Sequence, residues 1–290
     1  MTLKRVLSRL TENETLNFVL TNYIPRRTVT RFVGWLSRVE QPLVRDLSIG
    51  VWRLFSDLDL SEARTQNFRS LRDCFVRELK EGARPIDVRS EILVSPCDAI
   101  VGASGRVCDG VMLQVKGSTY PLSELVQDPS LVEAYRNGTY VTLRLTSAMY
   151  HRFHAPHDAR VVDVRHIAGD AFNVNPPTLK RLQKVYCRNE RAVIDMRLTD
   201  KGRRVTLVPV AAILVAGLRL NFMEMPTDRN HTGSWVRACG VDVAKGQELG
   251  WFEHGSTIIV LGEDGLELCK TVVQGETIRM GMPLMQLPNT

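Results

Sequence analysis

The sequence predicts an α+β protein, with N-terminal helices followed by a largely antiparallel, β-rich core. Two observations carry that reading. Apolar residues recur at helical spacing through the first 80 or so positions, and from about Ile92 the texture changes to short β-rich runs broken by Gly, Asp-Gly and Asn-Gly. Helices first and strands after are the pattern of a segregated α+β chain.

In order along the chain, Thr11 and Glu14 form a capping-box pair ahead of Leu16, Val19, Leu20 and Tyr23. Val44, Leu47, Val51, Leu54, Phe55 and Leu58 then repeat with helical period, with Phe32, Trp35 and Trp52 nearby. Phe68, Leu71, Phe75 and Leu79 make a third stretch. Apolar helices laced with arginine either pack on a core or enter a lipid interface. Strands are expected at Tyr140–Leu145, Arg160–Val164, Val205–Val210, Thr257–Leu261 and Glu267–Val273, with hairpin-like turns at Asn137-Gly138 and Asp264-Gly265. Thr271–Leu287 reads as strand, turn at Gly275, strand, turn at Gly281, strand. The division falls near residue 80, a helical region 1–80 and a β-rich region 81–290, without a sharp break in composition.

The net charge of +6 is concentrated at the front, where residues 1–55 hold nine Lys/Arg against four acids. A basic head suits an anionic lipid surface or nucleic acid, or is simply a solvated helical face. Six cysteines are scattered with no CxxC pair, which fits reduced thiols in a cytosolic setting better than a disulfide framework. The longest uncharged apolar run, Leu207 to Leu218, has 12 residues, where a bilayer-spanning helix needs about 20, so it is expected as a buried strand. Glu12, Asn13 and Glu14 interrupt any signal-peptide layout, and no segment is expected to cross a membrane.

Three polar clusters could carry chemistry. Ser95-Pro-Cys-Asp98 ends an apolar run, Tyr150-His-Arg-Phe-His-Ala-Pro-His157 holds three histidines, and Phe252-Glu-His-Gly-Ser-Thr257 leads into an apolar strand. Each alone has a bland reading: a turn acid, structural histidines, a loop. Together they supply a nucleophile, a base and an acid, as a Ser-His-Asp hydrolase requires. The serine lacks the G-x-S-x-G elbow, however, because Gly255-Ser256 opens a strand instead of a helix. A metal site is not expected, since on a strand His151 and His157 face one side and His154 the other, with no Cys pair or carboxylate to complete a set.

In order, the blocks Leu71-Arg-Asp-Cys-Phe-Val-Arg-Glu-Leu79, Ala83-Arg-Pro-Ile-Asp87, Val94-Ser-Pro-Cys-Asp98, Tyr150-His-Arg-Phe-His154, Phe172-Asn-Val-Asn175, Arg188-Asn-Glu-Arg191, Lys245-Gly-Gln-Glu-Leu-Gly-Trp-Phe252 and Gly255-Ser-Thr257 span nearly the whole chain. On these blocks the sequence resembles the phosphatidylserine decarboxylases. It departs from the family pattern at Ala99, where glycine is usual, at His254, where Leu or another small or apolar residue is usual, and at Val215-Ala-Gly217.

Decarboxylating an amino acid leaves a carbanion that no side chain can stabilise, so an electron sink is needed. The resemblance implies that the sink is a covalent pyruvoyl group made from Ser256, with no pyridoxal phosphate and no metal. Ser256, activated by His154 and oriented by Asp98, would attack the Gly255 carbonyl and cleave the chain into a β chain, 1–255, and an α chain, 256–290, which stay associated. The resemblance further implies that His151 reprotonates the decarboxylated carbon, and that the chain works peripherally on the cell membrane, at its cytoplasmic face. Its partners would be an anionic phospholipid and the bilayer, not nucleic acid, with a homo-oligomer allowed. A Ser-His-Asp hydrolase and an uncleaved lipid-binding relative are the competing classes.

Overall fold

The computed structural model describes residues 32–113, 119–200, 202–212, 217–224, 233–253 and 256–288. The Thr11/Glu14 helix lies outside the described residues. The strands are β1 (Ile92–Val94), β2 (Ala99–Arg106), β3 (Val111–Leu113), β4 (Thr119–Pro121), β5 (Thr139–Arg144), β6 (Arg152–His154), β7 (Ala159–Ile167) and β8 (Arg191–Leu198). They continue with β9 (Arg204–Ala211), β10 (Leu218–Leu220), β11 (Trp235–Val243), β12 (Glu248–Phe252), β13 (Ser256–Gly262), β14 (Glu267–Leu268), β15 (Thr277–Ile278) and β16 (Pro283–Gln286). Eight form one antiparallel sheet in the order β11-β7-β8-β9-β13-β5-β2-β15. Two three-stranded sheets, β10-β12-β6 and β1-β16-β14, accompany it.

The centre of the large sheet is buried on both faces, which explains why β13 reads as a continuous apolar run instead of an alternating one. Ile258 and Val260 point into a core with Phe153, Leu249 and Phe252 of the β10-β12-β6 sheet. Ile259 and Leu261 point the other way, against Leu125, Leu131 and Tyr186. That second layer belongs to short helices, Leu122–Val126, Pro129–Ala134, Pro176–Arg181 and Val185–Arg188, which sequence reading does not anticipate. Helices of four to six residues are too brief to show a 3.6-residue period.

Several sequence expectations change in place. The strand expected over Glu267–Val273 shrinks to β14, because Cys269 N–H already donates to Leu284 O and the chain then turns. The apolar run from Leu207 is not one strand: β9 ends at Ala211 and β10 begins at Leu218. Asn137-Gly138 joins helix Pro129–Ala134 to β5, and Asp264-Gly265 joins β13 to β14 in another sheet. Neither closes a hairpin, since β13 already has β5 and β9 as its two neighbours.

Residues 32–80 are less helical than their periodicity suggests. Residues 32–36 are helical, and helix Pro42–Phe55 starts where Gln41 Oε1 accepts from Val44 N–H (2.8 Å). Helix Leu71–Phe75 is a single turn capped by Ser70. Trp52 and Ile49 pack on Leu60, Ala63, Phe68 and Cys74. The opposite stripe, Leu43, Leu47, Val51 and Leu54, is exposed, as are Phe32 and Trp35. Leu43 and Leu47 are 76% and 70% exposed, so this stripe is not core. Among the described residues no helix is long and apolar enough to cross a membrane.

One buried acid makes stability depend on pH. Asp195 on β8 lies across from Asp163 in the β7–β8 register, with Arg204 3.5 Å away and Thr206 Oγ1 donating at 3.4 Å. Burial pushes its carboxyl up to about 6. The folded state therefore binds the proton more tightly than the unfolded chain, and stability falls as pH rises from about 4 through about 6. Asp195→Asn is expected to remove that slope and gain on the order of 2 kcal/mol at pH 7 relative to pH 4, as urea melts at the two pH values would measure.

Candidate functional site

Strand β12 runs out of the small sheet and the chain re-enters the large sheet at Ser256, the first residue of β13. Ser256 is fully buried. Its carbonyl accepts from Leu145 N–H (2.9 Å), and it stands opposite Ala211 of β9. Its hydroxyl finds no hydrogen-bond partner among the described residues. A buried hydroxyl left unsatisfied is unusual and costs stability, so a reason for keeping it has to be sought in chemistry.

The Tyr-His-Arg-Phe-His run is laid along the strand that leads to Ser256. β6 pairs antiparallel with β12, placing Arg152 opposite Trp251 and His154 opposite Glu248. Phe252 N–H donates to His151 O (3.0 Å), and His154 N–H donates to Pro96 O (2.8 Å), which brings in the loop carrying Asp98. Two glycines of the Lys245–Phe252 block are required by this packing. A Cβ on Gly250 would lie 1.9 Å from Arg219 O, and Gly246 has φ +78° with a Cβ position 2.2 Å from Ile86.

Gly246 also orients His154. Its carbonyl can only accept, so His154 Nδ1 donates to it at 2.9 Å, leaving Nε2 to accept from Tyr150 O–H at 3.0 Å. Burial, the largest influence, lowers the imidazole pKa below its ordinary value, although Glu248 and Asp98 pull it upward. The ring is a neutral base at physiological pH.

Asp98 and His154 share no hydrogen bond, and the carboxylate reaches the ring through space. Asp98 is gripped by Arg84, with Nε donating to Oδ1 at 2.9 Å and Nη2 to Oδ2 at 2.5 Å, and by Met280 N–H at 2.9 Å. Arg84 is itself buried and also pairs with Glu62 at 2.8 Å. Arg84 stands in the Ala83–Asp87 block, where nothing in the sequence marks it as the partner of Asp98. His151 is fully buried, its Nδ1 donates to Met149 O at 2.8 Å, and its ring lies 3.9 Å from that of Phe75. His157 turns away to the carbonyls of Ser90 and Asp158. Among the described residues no group of three or more His, Cys, Asp or Glu side chains is arranged to hold a metal ion.

Fold and site together define an α+β enzyme in which a buried serine opens β13 of the large sheet, His151 and His154 lie at β6 of a second sheet, and Asp98 is bound by Arg84. Among the described residues no side-chain hydrogen bond joins the serine to either histidine or to the aspartate. A model of the phosphatidylserine decarboxylase family matches residues 71–286. The chain is 34% identical over 280 residues to the phosphatidylserine decarboxylase proenzyme of Vibrio parahaemolyticus, covering 90% of this chain and 95% of that protein. It is 32% identical over 267 residues to that of Haemophilus influenzae, covering 89% and 91%. The protein of the same name from Acinetobacter baumannii is 32% identical over 275 residues, covering 91% and 94%. The chain belongs to the phosphatidylserine decarboxylase family of carboxy-lyases.

Proposed function

We propose that this chain is a proenzyme that cuts itself between Gly255 and Ser256, turns Ser256 into a pyruvoyl group, and decarboxylates phosphatidylserine to phosphatidylethanolamine and carbon dioxide. The observation that carries the reading is the fully buried hydroxyl of Ser256, without a partner among the described residues, directly after Gly255 in the sequence. A hydrolase serine stands on a strand-to-helix elbow, whereas Ser256 opens strand β13. Attack of Oγ on the Gly255 carbonyl turns the amide into an ester. Loss of the Ser256 Cα proton then expels the Gly255 carboxylate and leaves an enamine, from which water releases ammonia to give the ketone. His154 is the base for this sequence, with Asp98 and Arg84 setting the local charge.

The residues present fit a keto group at position 256. Its formation removes the Ser256 hydroxyl, which has no partner among the described residues, while Leu145 N–H still holds the adjoining carbonyl. The pyruvoyl group supplies the electron sink for decarboxylation. His151, whose carbonyl is bonded to Phe252, is the acid that returns a proton to the carbon. The two pieces stay together because β13, the second piece's first strand, lies between β5 and β9 of the first.

The region 1–80 is the membrane-associating part, acting peripherally. Leu43, Leu47, Val51 and Leu54 form an uncovered apolar stripe, and the basic residues of the first 55 positions suit anionic lipid. Each leucine withdrawn from such an interface loses about 1.5 kcal/mol or more, roughly tenfold in partitioning. Leu43→Ser with Leu47→Ser is expected to weaken sedimentation with phosphatidylglycerol-containing vesicles by about two orders of magnitude. Unchanged binding would assign the stripe another partner.

Denaturing mass spectrometry of the purified protein tests the central reading. The expected result is two fragments, 1–255 and 256–290, the smaller refractory to Edman degradation. One intact chain whose Ser256 reacts with a phosphonate would replace the reading with a hydrolase.

A further inference from the structure

Glu253 is 1% exposed and stands three residues before Ser256. Arg72 donates to its Oε1 from Nε (3.0 Å) and Nη2 (2.6 Å), and Arg38 donates to Oε2 from Nη2 (2.9 Å). Arg219 Nε lies 3.8 Å from Oε1. Glu253 N–H donates to Gly217 O at 3.0 Å. Withdrawing a carboxylate from water this completely is unfavourable unless cations and donors surround it, and here they come from distant parts of the chain.

Two of those cations belong to the N-terminal region. Arg38 directly follows Ser37, whose carbonyl accepts from Arg72 N–H at 2.8 Å, so the two arginines are tied together by backbone. The carboxylate they hold belongs to the segment that joins β12 to β13. On the N-terminal side of the scissile bond the chain is pinned at Phe252 by His151 and at Glu253 by the arginines. On the C-terminal side it is pinned at Ser256 by Leu145 and β9. Intramolecular attack on a carbonyl depends steeply on how the two flanks are held, and a displacement near 1 Å costs on the order of a hundredfold in rate.

We propose that Glu253 is a positioning residue for self-cleavage, and that its ion pairs with Arg38 and Arg72 make the cut depend on correct docking of the N-terminal segment. The inference rests on the self-cleavage reading above. Before the cut the pairs hold the N-terminal flank in register with Ser256. Afterwards they retain the new C-terminal end of the large fragment, two residues beyond Glu253.

The test follows the cut over time in full-length chains made by cell-free synthesis, with thermal unfolding of each variant measured in a Ser256→Ala background. Glu253→Gln keeps size and loses charge, and is expected to slow the cut by about a hundredfold while the unfolding temperature stays within a few degrees. Glu253→Asp should recover part of the rate. Arg72→Gln should also slow the cut, and the double variant Glu253→Gln with Arg72→Gln should be no slower than Glu253→Gln alone, because the two act as one unit. Cleavage of Glu253→Gln at the parent rate, or slowing that only tracks lost thermal stability, overturns the proposal. A parent chain that never cuts removes the self-cleavage reading itself.

Discussion

Replacing His154 with alanine is expected to leave the chain in one piece and without decarboxylase activity. The residue sits in the loop-and-strand junction that joins the Asp98 loop to the strand pair leading into Ser256. Its ring is neutral, with the proton on Nδ1 fixed by Gly246, so Nε2 is the basic atom. Tyr150 O–H occupies that atom at rest and has to yield it for the ring to take a proton from Ser256. Because burial lowers the pKa, the base stays unprotonated to below the ordinary histidine value near 6.5. The rate of cutting should hold level through neutrality and fall only in more acid solution, as pulse-labelled chains at graded pH would show. A rate already halved at pH 7 would assign the base elsewhere. Asp98→Asn is the companion variant. Asp98→Ala leaves the Arg84 guanidinium with Glu62 alone as its acidic partner, whereas asparagine keeps an acceptor there. A folded but uncut Asp98→Asn chain is the expected outcome.

The second large effect separates the two histidines. His151→Ala should still cut, still carry the keto group, and turn over about 10²–10⁴-fold more slowly, the usual contribution of a general acid. The contact between its ring and Phe75, which in turn touches Trp52 at 5.5 Å, makes some loss of stability unavoidable. Thermal melts therefore accompany the kinetics, and the comparison is made on the folded fraction. Borohydride trapping of substrate on the cut variant would show that binding survives. An uncut His151→Ala chain, or one that decarboxylates at the parent rate, would refute the division of labour.

Much of this molecule was legible in the sequence. The exposed helix Pro42–Phe55 announced itself by period, and β5, β7, β9 and β13 by β-branched runs between turns. Asp98, His151, His154 and Ser256 could be offered as candidates because they stand in short ordered blocks that resemble a known family. Arg84 and Glu253 could not be named in the same way. An arginine or glutamate carries no sign of its partner, and these pair with residues as far away as Asp98 and Arg38. The turn pairs misled for a related reason: Asn-Gly and Asp-Gly report that the chain reverses, not which strand receives it.

The sequence by itself determined the α+β class and the places of helix Pro42–Phe55 and of β5, β7, β9 and β13, and it offered the serine, the histidines and the aspartate as candidates. Those are local properties, set by backbone propensity, periodicity and side-chain chemistry. Only the tertiary structure decided that Ser256 opens the strand between β5 and β9, that Gly246 orients the His154 ring while Arg84 takes Asp98, and that the stripe from Leu43 to Leu54 faces outward. Each of those depends on which distant segments meet, and burial, pKa and pairing are properties of the meeting and not of the residue.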